Sequence, residues 1–226
     1  MEITGYKDKH EYTNKNGVTS VVYLMDCMDL LKQVPDKYFE LAVVDPPYGY
    51  GNKDTDILNF RKKEQNKEWN IAPEDSYFNS LFSVTKNQII WGGNYFSYLW
   101  QFGGRCFIYW HKGNPVENFA DGELAWTSFD KNAKQFNYPY YGGIQGHTKA
   151  DVKFHPTQKP IQLYEWIFKN YANPNDKILD THLGSGSSRI AADKANLPFV
   201  GCELDPDYFY ASVKRFNEYS AQGTIF

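Results

Sequence analysis

Cysteine is scarce in this sequence. The three residues, Cys27, Cys106 and Cys202, are odd in number and far apart, which excludes a disulfide framework and a zinc ribbon and predicts reduced thiols. The five histidines are scattered too, and no metal is expected. No apolar run approaches the roughly 20 residues of a membrane span, and Met1 to Asn16 is polar, without the apolar core of a secretory signal. Positive charge is not in excess either: 24 Lys and Arg face 27 Asp and Glu, a net charge of −3, so any polyanion must be met by a local basic patch. No Gly-Lys-Ser/Thr phosphate loop, internal repeat or low-complexity tract occurs. These absences predict a soluble, cytoplasmic protein that does not enter membranes.

What is present is enough for one full core: 226 residues, 42% hydrophobic and 18% aromatic. The most informative stretch is Asp45-Pro46-Pro47-Tyr48, which closes the apolar run Phe39–Val44. Such a run reads as a buried strand, and two prolines forbid its continuation. A carboxylate, a donor-free turn that leaves the Asp45 and Pro46 carbonyls uncontested, and an aromatic ring are thereby presented together. Two acceptors beside a flat face suit a planar heterocycle bearing an amino group; the alternative is a strand-ending turn with a solvated Asp.

Around this motif, strand and helix patterns alternate. Strands are predicted at Ser20–Met25, Asn87–Trp91, Arg105–Trp110, Asp176–Asp180 and Leu197–Glu203, and helices after the capping Asp26, over Glu74–Thr85, around Tyr95–Trp100, over Ile161–Tyr171 and Arg189–Ala195, and from Asp205 to Tyr219. The alternation argues for an α/β fold with a doubly wound, mostly parallel sheet. Between His111 and Lys153 the pattern changes: Glu123–Phe129 and Gln135–Tyr141 read as a hairpin about Asp130–Lys134, and part of the interval is expected to supply an antiparallel edge strand. Gly49 to Asn70 lacks a period and carries Lys53, Arg61, Lys62, Lys63 and Lys67. It reads as a solvated loop or as a segment that closes over a substrate and neutralises phosphates.

A second signal is the series strand, glycine-rich turn (Thr181 to Ser188), helix, strand, acid (Glu203). Gly184 permits the tight turn and Gly186 a close approach to a helix N-terminus, with Glu203 placed for two ribose hydroxyls. Arg189 stands where a dinucleotide fingerprint wants a third glycine, which weakens NAD without removing it.

Together, Asp45-Pro46-Pro47-Tyr48, His155-Pro156-Thr157-Gln158-Lys159-Pro160 and the Asp180 to Gly186 loop resemble the amino-methylating DNA methyltransferases, which use S-adenosylmethionine (SAM) to methylate adenine N6 or cytosine N4. The resemblance runs from Asp26 to about Phe216, in the permuted order with the catalytic motif first, and is nearest to small phage or bacterial versions. It implies a seven-stranded Rossmann-like sheet in a single domain over 1–226, with a short target-recognition region near 113–153. Catalysis falls to Asp45, Pro46, Pro47 and Tyr48. Cofactor contacts fall to Asp26, Cys27, Thr157, Gln158, Lys159, Asp180, His182, Gly184, Ser185, Gly186, Glu203 and Leu204, with Thr157, Gln158 and Lys159 near the methionine carboxylate. His182 departs from the family's usual Phe. Lys53, Arg61, Lys62, Lys63 and Lys67 would meet double-stranded DNA. Asp at position 45 resembles the adenine-N6 enzymes; Ser is commoner in the cytosine-N4 group. The implied reaction is direct transfer to a flipped-out base stacked on Tyr48, its amino group held by Asp45 and the Pro46 carbonyl. Cytosine N4, an amino group of RNA or protein, and a non-catalytic nucleic-acid-binding module are the competing readings. A homodimer stays open, and no restriction endonuclease partner can be named.

Overall fold

A computed structural model describes residues 1–49, 71–114, 117, 120–140, 155 and 157–222. The apolar run before the double proline is β3 (Phe39–Val44). Its Leu41 and Val43 enter one core layer and its Ala42 and Val44 the other, so both faces are covered and no polar alternation is seen. Eight further strands complete the sheet: β1 (Asp8–Thr13), β2 (Thr19–Leu24), β4 (Thr85–Trp91), β5 (Phe107–His111), β6 (Gly122–Thr127), β7 (Lys134–Asn137), β8 (Ile178–Asp180) and β9 (Phe199–Glu203). They lie in the order β1-β2-β9-β8-β3-β4-β6-β5-β7.

From β2 to β4 every neighbouring pair is parallel. Parallel neighbours require crossovers, and these place helices on both faces. α1 (Cys27–Leu31), α2 (Asp75–Val84) and α3 (Ser97–Trp100) pack on one layer; α4 (Ile161–Tyr171), α5 (Ser187–Lys194) and α6 (Pro206–Gln222) pack on the other. The chain leaves β3 through α2 toward β4 and leaves β8 through α5 toward β9, in opposite directions and on opposite faces. A crevice therefore opens beyond the carboxyl ends of β3 and β8.

Several expectations need correction. The sheet has nine strands among the described residues, not seven. β1 was missed because its sequence, Asp-Lys-His-Glu-Tyr-Thr, is polar; its inward positions nevertheless alternate, and His10 and Tyr12 rest edge-on against Phe216. The antiparallel edge strand is this β1, not part of the 111–153 interval. That interval instead supplies β6, antiparallel but internal, between β4 and β5. β6 and β7 form no hairpin: β5 separates them, antiparallel to β6 and parallel to β7, and the true hairpin is β5–β6. Pro160 is the cap residue of α4, and the Thr157 hydroxyl lies 3.2 Å from His155 Nδ1. Arg189, in place of a third glycine, is 1% exposed. Its Nε donates to Ser20 Oγ at 3.1 Å and its guanidinium lies over Phe216, tying α5 to β2 and α6.

Lys53, Arg61, Lys62, Lys63 and Lys67 lie outside the described residues, as does all of 141–153. Among the described residues no helix is long and apolar enough to cross a membrane.

Candidate active site

Because β2, β9, β8, β3 and β4 run the same way, their carboxyl ends bring Asp26, Glu203, Asp180, Asp45 and Gly92 to one edge of the sheet. β6 runs the other way, so its first residues, and the last of β5, reach that edge too: Gly122, Glu123, His111 and Lys112. The sheet topology thus gathers the two halves of the site.

In the Asp45 half, the side chain is 14% exposed. Its Oδ1 accepts from the Tyr48 hydroxyl at 2.7 Å, and Lys159 Nζ lies 2.5 Å from its Oδ2. Burial raises the Asp45 carboxyl, opposed by the Lys159 charge. Lys159 is 3% exposed, and its ammonium also lies 3.1 Å from Glu123 Oε2, an ion-pair approach off the hydrogen-bond line. Glu123 Oε1 in turn pairs with Lys112. Burial opposes ionisation of Glu123, but the two flanking ammonium groups outweigh it and hold the carboxyl down at about 2. The Lys159 ammonium is likewise disfavoured by burial, yet Asp45 and Glu123 raise it. The result is a line of alternating charge, Lys112, Glu123, Lys159, Asp45. The ammonium of Lys159, a residue the resemblance puts near the methionine carboxylate, stands between Asp45 and Glu123.

Tyr48 is fixed from several sides. Tyr95 stacks on it at 5.0 Å between ring centroids, and Phe96 meets it edge-on. Gly92 has φ +68°, and a Cβ there would stand 2.2 Å from Tyr48 Cε1, so the ring lies where only glycine leaves room.

In the other half, the turn after β8 has φ +50° at Gly184 and +72° at Gly186, the residue that opens α5. Glu203 Oε2 accepts from the Gly184 N–H at 2.8 Å and Oε1 from the Asp205 N–H at 2.9 Å; burial raises its carboxyl. Asp180 is 2% exposed and accepts from Ser188 Oγ at 2.6 Å and the His182 N–H at 3.0 Å. Burial pushes it up to about 7. His182 sits edge-on to Tyr77 at 5.3 Å, its Nδ1 3.0 Å from Thr181 Oγ1, and burial lowers it to about 4. Asp26 caps α1 through the Met28 N–H at 2.7 Å, the role expected from sequence. Cys27 beside it is pushed up to about 12 by burial and then by Asp26, an inert thiol. Gln158 and Ser185 are buried, Thr157 is exposed and Leu204 is 47% exposed.

The polar groups present fit SAM: acceptors at the buried Asp180 and the half-buried Glu203 suit cationic and hydroxyl groups, and the glycine turn lies between them. Glu123, Lys112 and Tyr95 escaped the sequence reading. They lie far from Asp45 in the chain, and only the internal position of β6 brings Glu123 to Lys159.

Residues 62–214 match the family model of the DNA methylases. Type II methyltransferase M1.MboII of Moraxella bovis is 27% identical over 241 residues, which span 83% of this chain and 92% of the relative. Among solved structures, M1.HpyAVI in complex with SAM has a TM-score of 0.58 at 24% identity, covering 86% of this chain and 98% of that one. The cytosine-N4-specific PvuII DNA methyltransferase has a TM-score of 0.62 at 18% identity, covering 96% of each chain. These two share the fold. With more than half of its residues under the family model, the chain belongs to the SAM-dependent DNA methylases.

Proposed function

We propose that the protein methylates adenine N6 in duplex DNA. The observation that carries this reading is Asp45 at the crevice, withdrawn from water, oriented by Tyr48 and Lys159, with lone pairs left on both oxygens. Bound SAM supplies a sulfonium methyl group. The adenine amino group is a poor nucleophile because its lone pair is delocalised into the ring. Acceptance of its hydrogens by Asp45 and the Pro46 carbonyl localises that pair toward the methyl carbon, so the contribution of the chain is positioning and electrostatics. The base reaches this pocket by flipping from the duplex onto Tyr48, whose turn Pro47 stiffens.

Glu203 takes the ribose, Asp26 and Cys27 border the cofactor's adenine, and Asp180, His182, Gly184, Ser185, Gly186 and Leu204 line its path, with Thr157 and Gln158 toward the methionine end. Lys53, Arg61, Lys62, Lys63 and Lys67 neutralise phosphates, and 113–153 reads the target. The enzyme works in the cytoplasm of a bacterial cell or phage-infected host.

The test is incubation with labelled SAM and duplex DNA, followed by nucleoside analysis. Label in N6-methyldeoxyadenosine, abolished by Asp45→Ala while SAM binding persists, is the expected result. Label in N4-methyldeoxycytidine would overturn the adenine assignment, and Asp45→Ala turning over at the wild-type rate would remove Asp45 from the chemistry.

A further inference from the structure

Asp45 can act on an amino group only if its carboxylate remains a strong acceptor. An unshared ammonium 2.5 Å away works against this, because it neutralises the carboxylate and occupies its lone pairs. The ammonium here is shared. From the opposite side of Lys159 Nζ, Glu123 stands at 3.1 Å, and Glu123 is itself anchored by Lys112. Lys159 has little freedom to move, being 3% exposed and bounded by the rings of Trp91 and Tyr48, 5.4 and 5.9 Å from its nitrogen.

We propose that Glu123 is a positioning residue of the methyl transfer: it draws the Lys159 ammonium partly away from Asp45, with Lys112 setting how strongly it does so. Glu123 touches neither Asp45 nor, in this scheme, the target base; it acts through Lys159. Its negative charge offsets part of the Lys159 field at Asp45, which preserves the basicity of the acceptor. The inference rests on the methyl-transfer reading above and assigns work to two residues that reading does not use.

The titratable groups facing Asp45 among the described residues are Tyr48 from its own turn, Lys159 ahead of α4, Tyr164 on α4, Glu123 on β6 and Asp180 on β8. Of these, Lys159 lowers the Asp45 carboxyl and Glu123 raises it. The two outer residues can therefore be separated by the sign of their effects. Glu123→Gln leaves Lys159 to Asp45 alone, so the acceptor weakens and titrates at lower pH. Lys112→Met frees Glu123 to hold Lys159 more tightly, so Asp45 titrates at higher pH.

The experiment measures kcat and KM for SAM across pH with duplex DNA for the wild type, Glu123→Gln, Glu123→Asp and Lys112→Met, with SAM binding as the check on folding. In Glu123→Gln, kcat should fall about tenfold with KM for SAM changed less than about twofold, and Glu123→Asp should recover part of the loss. The acid limb of kcat should move down in Glu123→Gln and up in Lys112→Met. Unmoved or equal-signed limbs in the two variants would overturn the proposal, as would parallel losses of SAM binding and turnover. A wild-type protein that labels no DNA would instead remove the methyl-transfer reading itself, a result distinct from any of these.

Discussion

The Tyr48 hydroxyl donates to Asp45 Oδ1 over 2.7 Å, so the residue whose ring is proposed to carry the base also orients the carboxylate that receives its amino group. One side chain couples stacking to acceptor geometry, across a turn of two prolines that cannot compete as donors.

Tyr48→Phe separates the two roles. The ring stays, but Asp45 loses one of its two fixing donors, and a hydrogen bond to a charged group contributes about 1.5–3 kcal/mol. Turnover should drop about 10- to 100-fold with SAM affinity unchanged. Tyr48→Ala should lose more, because stacking of a base on an aromatic ring contributes a further ~1–3 kcal/mol. Single-turnover rates for the pair decide the matter: Tyr48→Phe indistinguishable from wild type would leave the hydroxyl without a catalytic part.

Gly92→Ala tests the support beneath that ring. The new Cβ would meet Tyr48 Cε1 at 2.2 Å, and φ +68° is strained for any L side chain at about 1–2 kcal/mol. Tyr48 must shift and carry its hydroxyl off Asp45. Turnover should fall as far as in Tyr48→Phe or further, with a modest drop in Tm and SAM binding retained. Full activity in Gly92→Ala would mean that the ring's position is not constrained by this contact.

The sequence made the central strands, the crevice and both motif halves legible for a physical reason. Strands buried on two faces are continuous apolar runs, and the breaks after them, Asp45-Pro46-Pro47 and Leu183-Gly184-Ser185-Gly186, are chemically unusual. What failed lies outside the parallel centre of the sheet. β1 carries Asp8, Lys9, His10 and Glu11 and is recognisable only once Phe216 is seen behind it. The pairing of β6 with β4 and β5 is fixed by tertiary contacts that periodicity does not encode, and Glu123 stayed hidden with it. Nothing in its hexapeptide pairs Lys159 with Asp45, because those residues say nothing of what stands across the crevice.

Asp180 predicts a proton linked to cofactor binding. Burial raises its carboxyl from 3.8 to about 7, so the ligand-free fold holds a proton at pH 6 that the unfolded chain has released. The stability it contributes is fully present below the unfolded value and is lost as pH rises through about 7. A cationic cofactor next to the group reverses the preference and expels the proton. SAM affinity should therefore rise several-fold between about pH 6 and 8. Calorimetry in buffers of different ionisation enthalpy should register the released proton. In Asp180→Asn both the release and that part of the pH dependence should vanish; their persistence would place the proton elsewhere.

His182 gives the opposite linkage. Burial lowers its imidazole from 6.5 to about 4, so the folded protein keeps it neutral while the unfolded chain takes up a proton. Its contribution is intact above pH 6.5 and is lost as pH falls toward 4. The ring meets Tyr77 edge-on at 5.3 Å, a contact that Phe can reproduce, and Thr181 Oγ1 keeps Tyr77 as a partner at 2.7 Å if the imidazole is removed. His182→Phe should match the wild type in Tm near pH 8 and exceed it increasingly on acidification, by roughly 1–2 kcal/mol at about pH 5. SAM binding should be retained, since the aromatic packing of the turn is preserved. Thermal unfolding of both proteins across this range is the measurement. Parallel curves would mean that His182 is not what makes the fold acid-sensitive, and a variant less stable at every pH would mean that the imidazole's bond to Thr181 outweighs its burial.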